Sequence, residues 1–278
     1  MMSSSFTIGN VEIGSNAGLF VIAGPCVIED EEVTHQIARR LVEIRDRMGI
    51  GILFKASFDK ANRTSITSFR GPGLKEGLRI LADIRARTGL PLVTDVHEPH
   101  QAGPVGDVVD CVQIPAFLCR QTDLLAACAR TGKAVNVKKG QFVSPAEMKN
   151  AVQKIRDSGN NRILLTERGT FFGYNRLVND MTAIPAMQSL GCPVVMDATH
   201  STQQPGGLGQ TSAGNRDLAP ILARAAVAAG ADGLFMEVHP TPDQALCDAA
   251  CMIPLDWVEE LLRMCQTIHT LIRSNTAR

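Results

Sequence analysis

Eight times along the chain a short apolar run ends abruptly in charged or metal-seeking side chains. The runs read FVIAGPC, GILFKAS, PLVTDVH, CVQIPAF, AVNVKKG, RILLTERG, PVVMDATH and GLFMEVH. Each is rich in Val, Ile, Leu and Phe, is bounded by Gly or Pro, and precedes a helix-like segment, which predicts strands alternating with helices. Successive runs recur about every 30 residues, the size of one strand–helix unit. Eight such units predict an α/β fold, a (β/α)₈ TIM barrel. A barrel of this kind gathers its strand ends onto one face and builds its active site there. The groups at those ends are Cys26, Lys55, Asp95, Gln113, Lys138, Arg168, His200 and Glu237.

The chain of 278 residues suits one barrel domain, since such barrels run to roughly 250 residues. No linker, low-complexity stretch or charge block marks a second domain, so residues 1–278 read as a single unit. Ahead of the first run, residues 6–14 (FTIGNVEIG) alternate apolar and polar around Gly9-Asn10 and predict a β-hairpin over the barrel's N-terminal end. Two connections are unusually long: FDKANRTSITSFRGPG after strand 2 and STQQPGGLGQTSAGNRD after strand 7. Long loops of this composition in compact domains often act as functional lids.

Formal net charge is zero, and one Trp and one Tyr leave little for stacking on bases. Neither feature suits nucleic-acid binding. Eight Cys are scattered without CxxC pairs, which reads as reduced, mostly buried thiols of a cytoplasmic protein. The first residues show neither a basic nor an apolar signal region, and no stretch is long and apolar enough for a membrane span.

Lys55, Lys60, Asn62 and Arg63 belong to strand 2 and its loop, Lys138-Lys139 end strand 5, and Glu167-Arg168 end strand 6. A cation inside a barrel costs desolvation energy unless an anion compensates it. Arg matches phosphate with a planar fork, and Lys acts as a point charge. Cations from three strands at one mouth therefore predict a polyanionic substrate, or two phosphorylated ones. Salt bridges to Asp59, Asp95 and Glu167 are the plainer alternative for any one of them.

Cys26, His200 and Glu237 end strands 1, 7 and 8, which barrel closure makes neighbours. Asp248, in the loop after strand 8, can supply a fourth donor. A thiolate, an imidazole and two carboxylates suit Zn²⁺, Fe²⁺, Mn²⁺ or a similar divalent ion. Taken singly, Cys26 also reads as a packed thiol, His200 as a core histidine and Glu237 as the partner of His239. His97 and His239 compete as ligands.

The segments FVIAGPCVIE, LFKASFDKANRTS, SFRGPGL, TDVHE, QIPAFLCRQTDLL, NVKKGQF, ERGTFFGYN, DATHS and FMEVHP occur in this order. They closely resemble the 3-deoxy-D-manno-octulosonate-8-phosphate synthase family, also called 2-dehydro-3-deoxyphosphooctonate aldolases. The resemblance spans residues 18–255. It implies condensation of phosphoenolpyruvate with D-arabinose 5-phosphate and water. The eight-carbon product enters lipopolysaccharide or plant pectic polysaccharide.

The resemblance also implies residue roles. Lys55, Lys60, Gln113, Ala116, Lys138 and Arg168 match the phosphoenolpyruvate site. Asn62, Arg63 and Thr64 match the sugar-phosphate site, with Asp95 near its hydroxyls. Thr64 stands where Ser is common. Lys60, Asn62, His200 and Cys26 are the candidates for catalysis. Phe117 is expected to reach a neighbouring subunit of a homotetramer. Metal-free relatives carry Asn where this chain has Cys26, so Cys26, His200, Glu237 and Asp248 fit the metal-requiring form.

The related seven-carbon synthases usually carry KPRTS where this chain reads Lys60-Ala61-Asn62-Arg63-Thr64, which favours arabinose 5-phosphate over erythrose 4-phosphate. The rivals are that seven-carbon synthase, a noncatalytic phosphosugar-binding barrel and a lysine Schiff-base aldolase.

Overall fold

The computed structural model describes residues 5–14, 17–204 and 213–275. Each of the eight apolar runs forms a strand: Phe20–Gly24, Gly51–Lys55, Leu92–Asp95, Cys111–Ile114, Ala134–Lys138, Ile163–Glu167, Val194–Asp197 and Gly233–His239, numbered here as barrel strands 1 to 8. All neighbours are parallel. Strand 8 pairs with strand 7 through Gly233↔Val195 and with strand 1 through Gly233↔Phe20, so the sheet closes on itself. The fold is a (β/α)₈ barrel with an N-terminal hairpin.

The helices follow as the sequence predicts. Helix α1 (Glu31–Met48) starts at Asp30, whose side chain accepts from Val33 N, and stops at Gly49, where φ is 63°. An L side chain disfavours that conformation, and glycine is free to adopt it. Acidic Glu31 and Glu32 begin the helix, and basic Arg45 and Arg47 end it, matching the helix dipole. Helix α2 is Leu74–Thr88, and the last helix, Val258–Asn275, closes the described chain. Among the described residues no helix is long and apolar enough to cross a membrane.

Alternation along the strands sorts the core into two parts. Outward residues such as Val21, Phe54, Val112 and Leu165 share one core cluster with residues of the helical layer such as Ile37, Leu41 and Leu81. Inward residues Phe20, Ile22, Leu53, Val93, Leu164, Val195 and Phe235 fill the barrel together with Ile8, Val11 and Ile13 of the hairpin. The hairpin strands are Phe6–Ile8 and Val11–Ile13, in register Ile8↔Val11. They plug the N-terminal end, where a Cβ on Gly51 would meet Val11 Cγ1 at 2.6 Å. Burying each of those three side chains is worth about 1.5–3 kcal/mol. The floor is therefore apolar and closed, and polar inward groups occur only in the upper layers.

Candidate active site

The inward position at the C-terminal end of most strands is polar: Lys55, Asp95, Gln113, Asn136 and Lys138, Thr166, Asp197, and Glu237. All of these are buried. Above them opens a cavity of about 730 Å³ whose walls include Lys55, Lys60, Arg63, Lys138, Arg168 and His200. Strand 1 contributes no inward side chain at this level. A Cβ on Gly24 would lie 2.0 Å from the Lys55 carbonyl oxygen, so the chain passes close there before reaching Cys26.

A ladder of hydrogen bonds runs across the upper barrel. Ser57 Oγ donates to Asp95, and Gln113 Nε2 donates to Asp95 Oδ1 at 2.5 Å. Asn136 Nδ2 donates to Gln113 Oε1 at 2.9 Å, and Thr166 Oγ1 donates to Asn136 Oδ1 at 2.7 Å. Each polar group thus holds the next at fixed orientation.

The lysines lie on this ladder. Lys55 Nζ sits 3.1 Å from Glu237 Oε1, 3.1 Å from the Cys26 carbonyl oxygen and 3.5 Å from Asp95 Oδ2. Lys60 Nζ approaches the same Glu237 oxygen at 3.5 Å. Lys138 Nζ bonds Asp197 Oδ2 at 2.6 Å and lies 3.6 Å from the centre of the Phe235 ring, a cation–π contact. Burial pulls the Lys138 ammonium below its ordinary value in spite of Asp197. Burial opposes the Lys60 charge too, but Cys26, Glu237 and Cys247 outweigh it and hold that ammonium well above its usual range. Asp95 shows the converse: burial alone would raise its carboxyl, yet Lys55, Lys60, His97 and Lys138 keep it far below the usual range.

Arg168 is buried, and its Nη2 donates to Gln203 Oε1 at 2.6 Å. Its Nη1 is buried with no hydrogen-bond partner among the described residues. A guanidinium in that condition lacks one acceptor, the kind of group a phosphate supplies.

His200, Glu237 and Asp248 place donor atoms within 4.8 Å of one another, and so do Cys26, Cys247 and Asp248. Asp248 joins the two groups. Its Oδ2 lies 3.4 Å from Cys26 Sγ and 3.7 Å from His200 Nε2, and Glu237 Oε2 lies 3.4 Å from His200 Nε2. An ion with tetrahedral bonds of about 2.0–2.3 Å spaces its ligands roughly 3.3–3.8 Å apart, so these donors fit a divalent cation. Asp248 also holds a left-handed backbone, φ 49°, an unusual conformation for a residue with a side chain. Burial pushes the Cys26 thiol well up, with Cys247 and Glu237 adding to it, and a bound cation would reverse that preference.

Among the described residues, neither competing histidine belongs to these donor groups. His97 packs edge-on against Phe58 at 5.7 Å, and His239 Nδ1 accepts from Thr241 N at 3.0 Å. A further triad, Glu31, His35 and Asp83, lies between α1 and α2. There Arg79 and Arg87 already pair with both carboxylates.

The strand-2 loop forms the rim. Lys60 N donates to Arg70 O at 2.8 Å, and Arg70 Nε pairs with Asp59 Oδ1 at 2.7 Å, pinning its two arms. Asn62 and Thr64 are exposed and Arg63 is half-buried. Arg63 reaches across the mouth, where Nη1 lies 2.7 Å from Cys247 Sγ and Nη2 lies 3.2 Å from Leu246 O. Ala116 is buried in the wall and Phe117 is half exposed beside it.

The structure brings every predicted site residue to this one basin or its rim. Lys139 behaves differently from its neighbour. It bonds Gly140 O, Val143 O and Thr170 Oγ1 at 3.2–3.3 Å, faces Glu167 at 3.5 Å, and serves a loop rather than the mouth. Alternation after inward Lys138 explains it. Sequence reasoning gave no role to Asp197 or Cys247. Spacing alone could have found Asp197, which lies two positions after inward Val195. Of the long strand-7 connection, residues 205–212 lie outside the described residues.

The fold and the basin define a barrel with a cation-rich mouth beside a set of metal-ligand side chains. The chain belongs to the DAHP synthetase I family, whose profile matches residues 3–274. It is 55% identical over 275 residues to the 2-dehydro-3-deoxyphosphooctonate aldolase of Syntrophotalea carbinolica, covering 99% of each chain. It is 55% identical over 271 residues to the protein of that name from Geobacter sp. strain M21, covering 98% of this chain and 99% of the relative. A third relative of that name, from Nitratidesulfovibrio vulgaris strain DP4, is 59% identical over 252 residues, which is 91% of this chain and 92% of its own.

Proposed function

We propose that this enzyme joins phosphoenolpyruvate to D-arabinose 5-phosphate and water, giving 3-deoxy-D-manno-octulosonate 8-phosphate and inorganic phosphate. The convergence of Lys55, Lys60, Lys138, Arg168 and Arg63 on one cavity, in a chain matched end to end by aldolases of this name, carries the reading.

Phosphoenolpyruvate takes the deep part of the basin. Lys138 and Arg168, with the free Arg168 Nη1, receive its phosphate beside Ala116, and Lys55 and Gln113 hold the carboxylate end. The sugar phosphate takes the rim, its phosphate on Arg63 with Asn62 and Thr64 and its hydroxyls near Asp95. Two anions are thereby held together against their repulsion, and orientation removes much of the entropic barrier.

The C3 carbon of the enol phosphate attacks the sugar aldehyde, and Lys60 delivers the proton that the new alkoxide takes up. Water adds at C2 and loses a proton. The resulting hemiketal phosphate then breaks its C–O bond, releasing phosphate and leaving the ketone. The nucleophile arrives as an enol, so no lysine Schiff base is required, and Lys55 stays an ammonium among Glu237, Asp95 and the Cys26 carbonyl. Cys26, His200, Glu237 and Asp248 would hold a divalent ion, which would supply positive charge near the aldehyde and the water. A homotetramer is part of this reading, with Phe117 turned toward a second copy.

Phosphate release from phosphoenolpyruvate, assayed separately with arabinose 5-phosphate and with erythrose 4-phosphate, tests the proposal. Release with arabinose 5-phosphate at least tenfold faster is expected. A preference for the four-carbon sugar would move the chain to the seven-carbon reaction, and no release with either would leave a binding barrel. Arg63→Ala is expected to raise the KM for arabinose 5-phosphate by about 10–100-fold, since a charge-assisted contact is worth roughly 1.5–3 kcal/mol. The KM for phosphoenolpyruvate should stay within about twofold, because Arg63 sits on the rim. The opposite split would reverse the assignment of the two subsites.

A further inference from the structure

Asp197 is fully buried at the end of strand 7, and its two oxygens have separate partners. Oδ1 accepts from Thr199 N at 3.1 Å, Thr199 Oγ1 at 3.0 Å and His200 N at 2.9 Å. These three bonds shape the turn after the strand. Oδ2 lies 2.6 Å from Lys138 Nζ and 2.7 Å from His200 Nδ1. One oxygen therefore holds a lysine of the anion subsite and a histidine of the metal-ligand cluster. We propose that Asp197 is a positioning residue that couples the two subsites, so that a divalent ion and phosphoenolpyruvate each strengthen the other's binding. The inference rests on the reading of Cys26, His200, Glu237 and Asp248 as metal ligands.

The physical link is the imidazole. A carboxylate at Nδ1 makes that nitrogen the proton carrier. It turns the lone pair of Nε2 toward Glu237 Oε2 and Asp248 Oδ2, at 3.4 and 3.7 Å. It also raises the basicity of Nε2 as a ligand. Lys138 draws on the same oxygen beside it, its Nζ 3.5 Å from His200 Nδ1. When an anion binds Lys138, the ammonium shares its charge with the newcomer and withdraws less from Oδ2. More negative charge then falls on the His200 ring, and the ring becomes a better donor. The Phe235 face, 3.6 Å from Lys138 Nζ, limits how far the ammonium can swing, so the effect stays directed along this line. Thermodynamic linkage makes the gain mutual.

Asp197→Asn separates the two oxygens. Its amide oxygen can keep the turn, while its NH₂ group faces two N–H donors where Oδ2 had accepted. Zinc affinity is measured by competition with a chromophoric chelator, with and without saturating phosphoenolpyruvate, and thermal unfolding checks the fold. The variant is expected to bind zinc about 10–100-fold more weakly and to show a several-fold higher KM for phosphoenolpyruvate. Its KM for arabinose 5-phosphate should be little changed. Zinc should bind the unaltered enzyme more tightly when phosphoenolpyruvate is present, and that gain should shrink in the variant.

A variant that binds zinc as tightly as the parent, with the same response to phosphoenolpyruvate, overturns the coupling and leaves Asp197 a cap for its turn. Should the variant fail to fold, the parent alone decides, because a zinc affinity indifferent to phosphoenolpyruvate also overturns it. A parent that binds no zinc at all overturns the metal reading together with this inference, an outcome distinct from zinc bound without coupling.

Discussion

Stripping divalent ions with a strong chelator is expected to cut phosphate release by at least about 100-fold, and zinc, iron(II) or manganese added in slight excess should restore it. The scale follows from several kcal/mol of charge stabilisation at the reacting centre. The fold should survive the treatment. Glu237 keeps Lys55 and Lys60 as partners on Oε1, and Asp248 keeps the Cys26 thiol as a donor. Activity would thus be lost while the circular dichroism spectrum stays unchanged. Full turnover in protein shown by elemental analysis to be metal-free would sink the metal reading, and Cys26 would become a packed thiol.

Lys60→Met is expected to lower kcat by about 10²–10⁴-fold, the usual contribution of a positioned proton donor, with both KM values within a few-fold. The side chain is well placed for the task. The Glu237 and Asp95 carboxylates help overcome the cost of burial and keep its ammonium charged, so the proton is present when the alkoxide forms. Methionine keeps the unbranched stem, one atom shorter, and removes the proton. The deletion leaves Glu237 Oε1 with Lys55 at 3.1 Å, so no carboxylate is stranded and the fold should hold. Steady-state kinetics decide the matter: a rise confined to the KM for phosphoenolpyruvate would make Lys60 a binding residue and leave the proton donor unassigned.

The barrel was legible because each strand is buried on both faces and therefore reads as an apolar run. Its first inward polar residue marks where the floor gives way to the mouth, as at Lys55 after Leu53 and at Asp95 after Val93. Strand parity also explains why Lys138 faces the basin and Lys139 does not. Cys26, His200 and Glu237 could be gathered from barrel closure alone.

Pairing across the basin was not legible. Nothing in the spacing indicates that Asp197 meets Lys138, 59 positions away in the chain, on the same oxygen that holds His200. Nor does it indicate that Arg63 crosses to Cys247. Both loops involved, 58–73 and 240–252, lack a hydrophobic period, and their course depends on contacts such as Arg70 with Asp59.

The hairpin plug carries a consequence for traffic. With Ile8, Val11 and Ile13 sealing one end, the described residues leave the basin at the other end as the doorway for arrivals and departures. Lys138 and Arg168 lie far inside it, while Asn62 and Thr64 stand at its threshold. On the proposed assignment of the two subsites, a sugar phosphate at the threshold would bar the way inward, and the smaller enol phosphate would enter first.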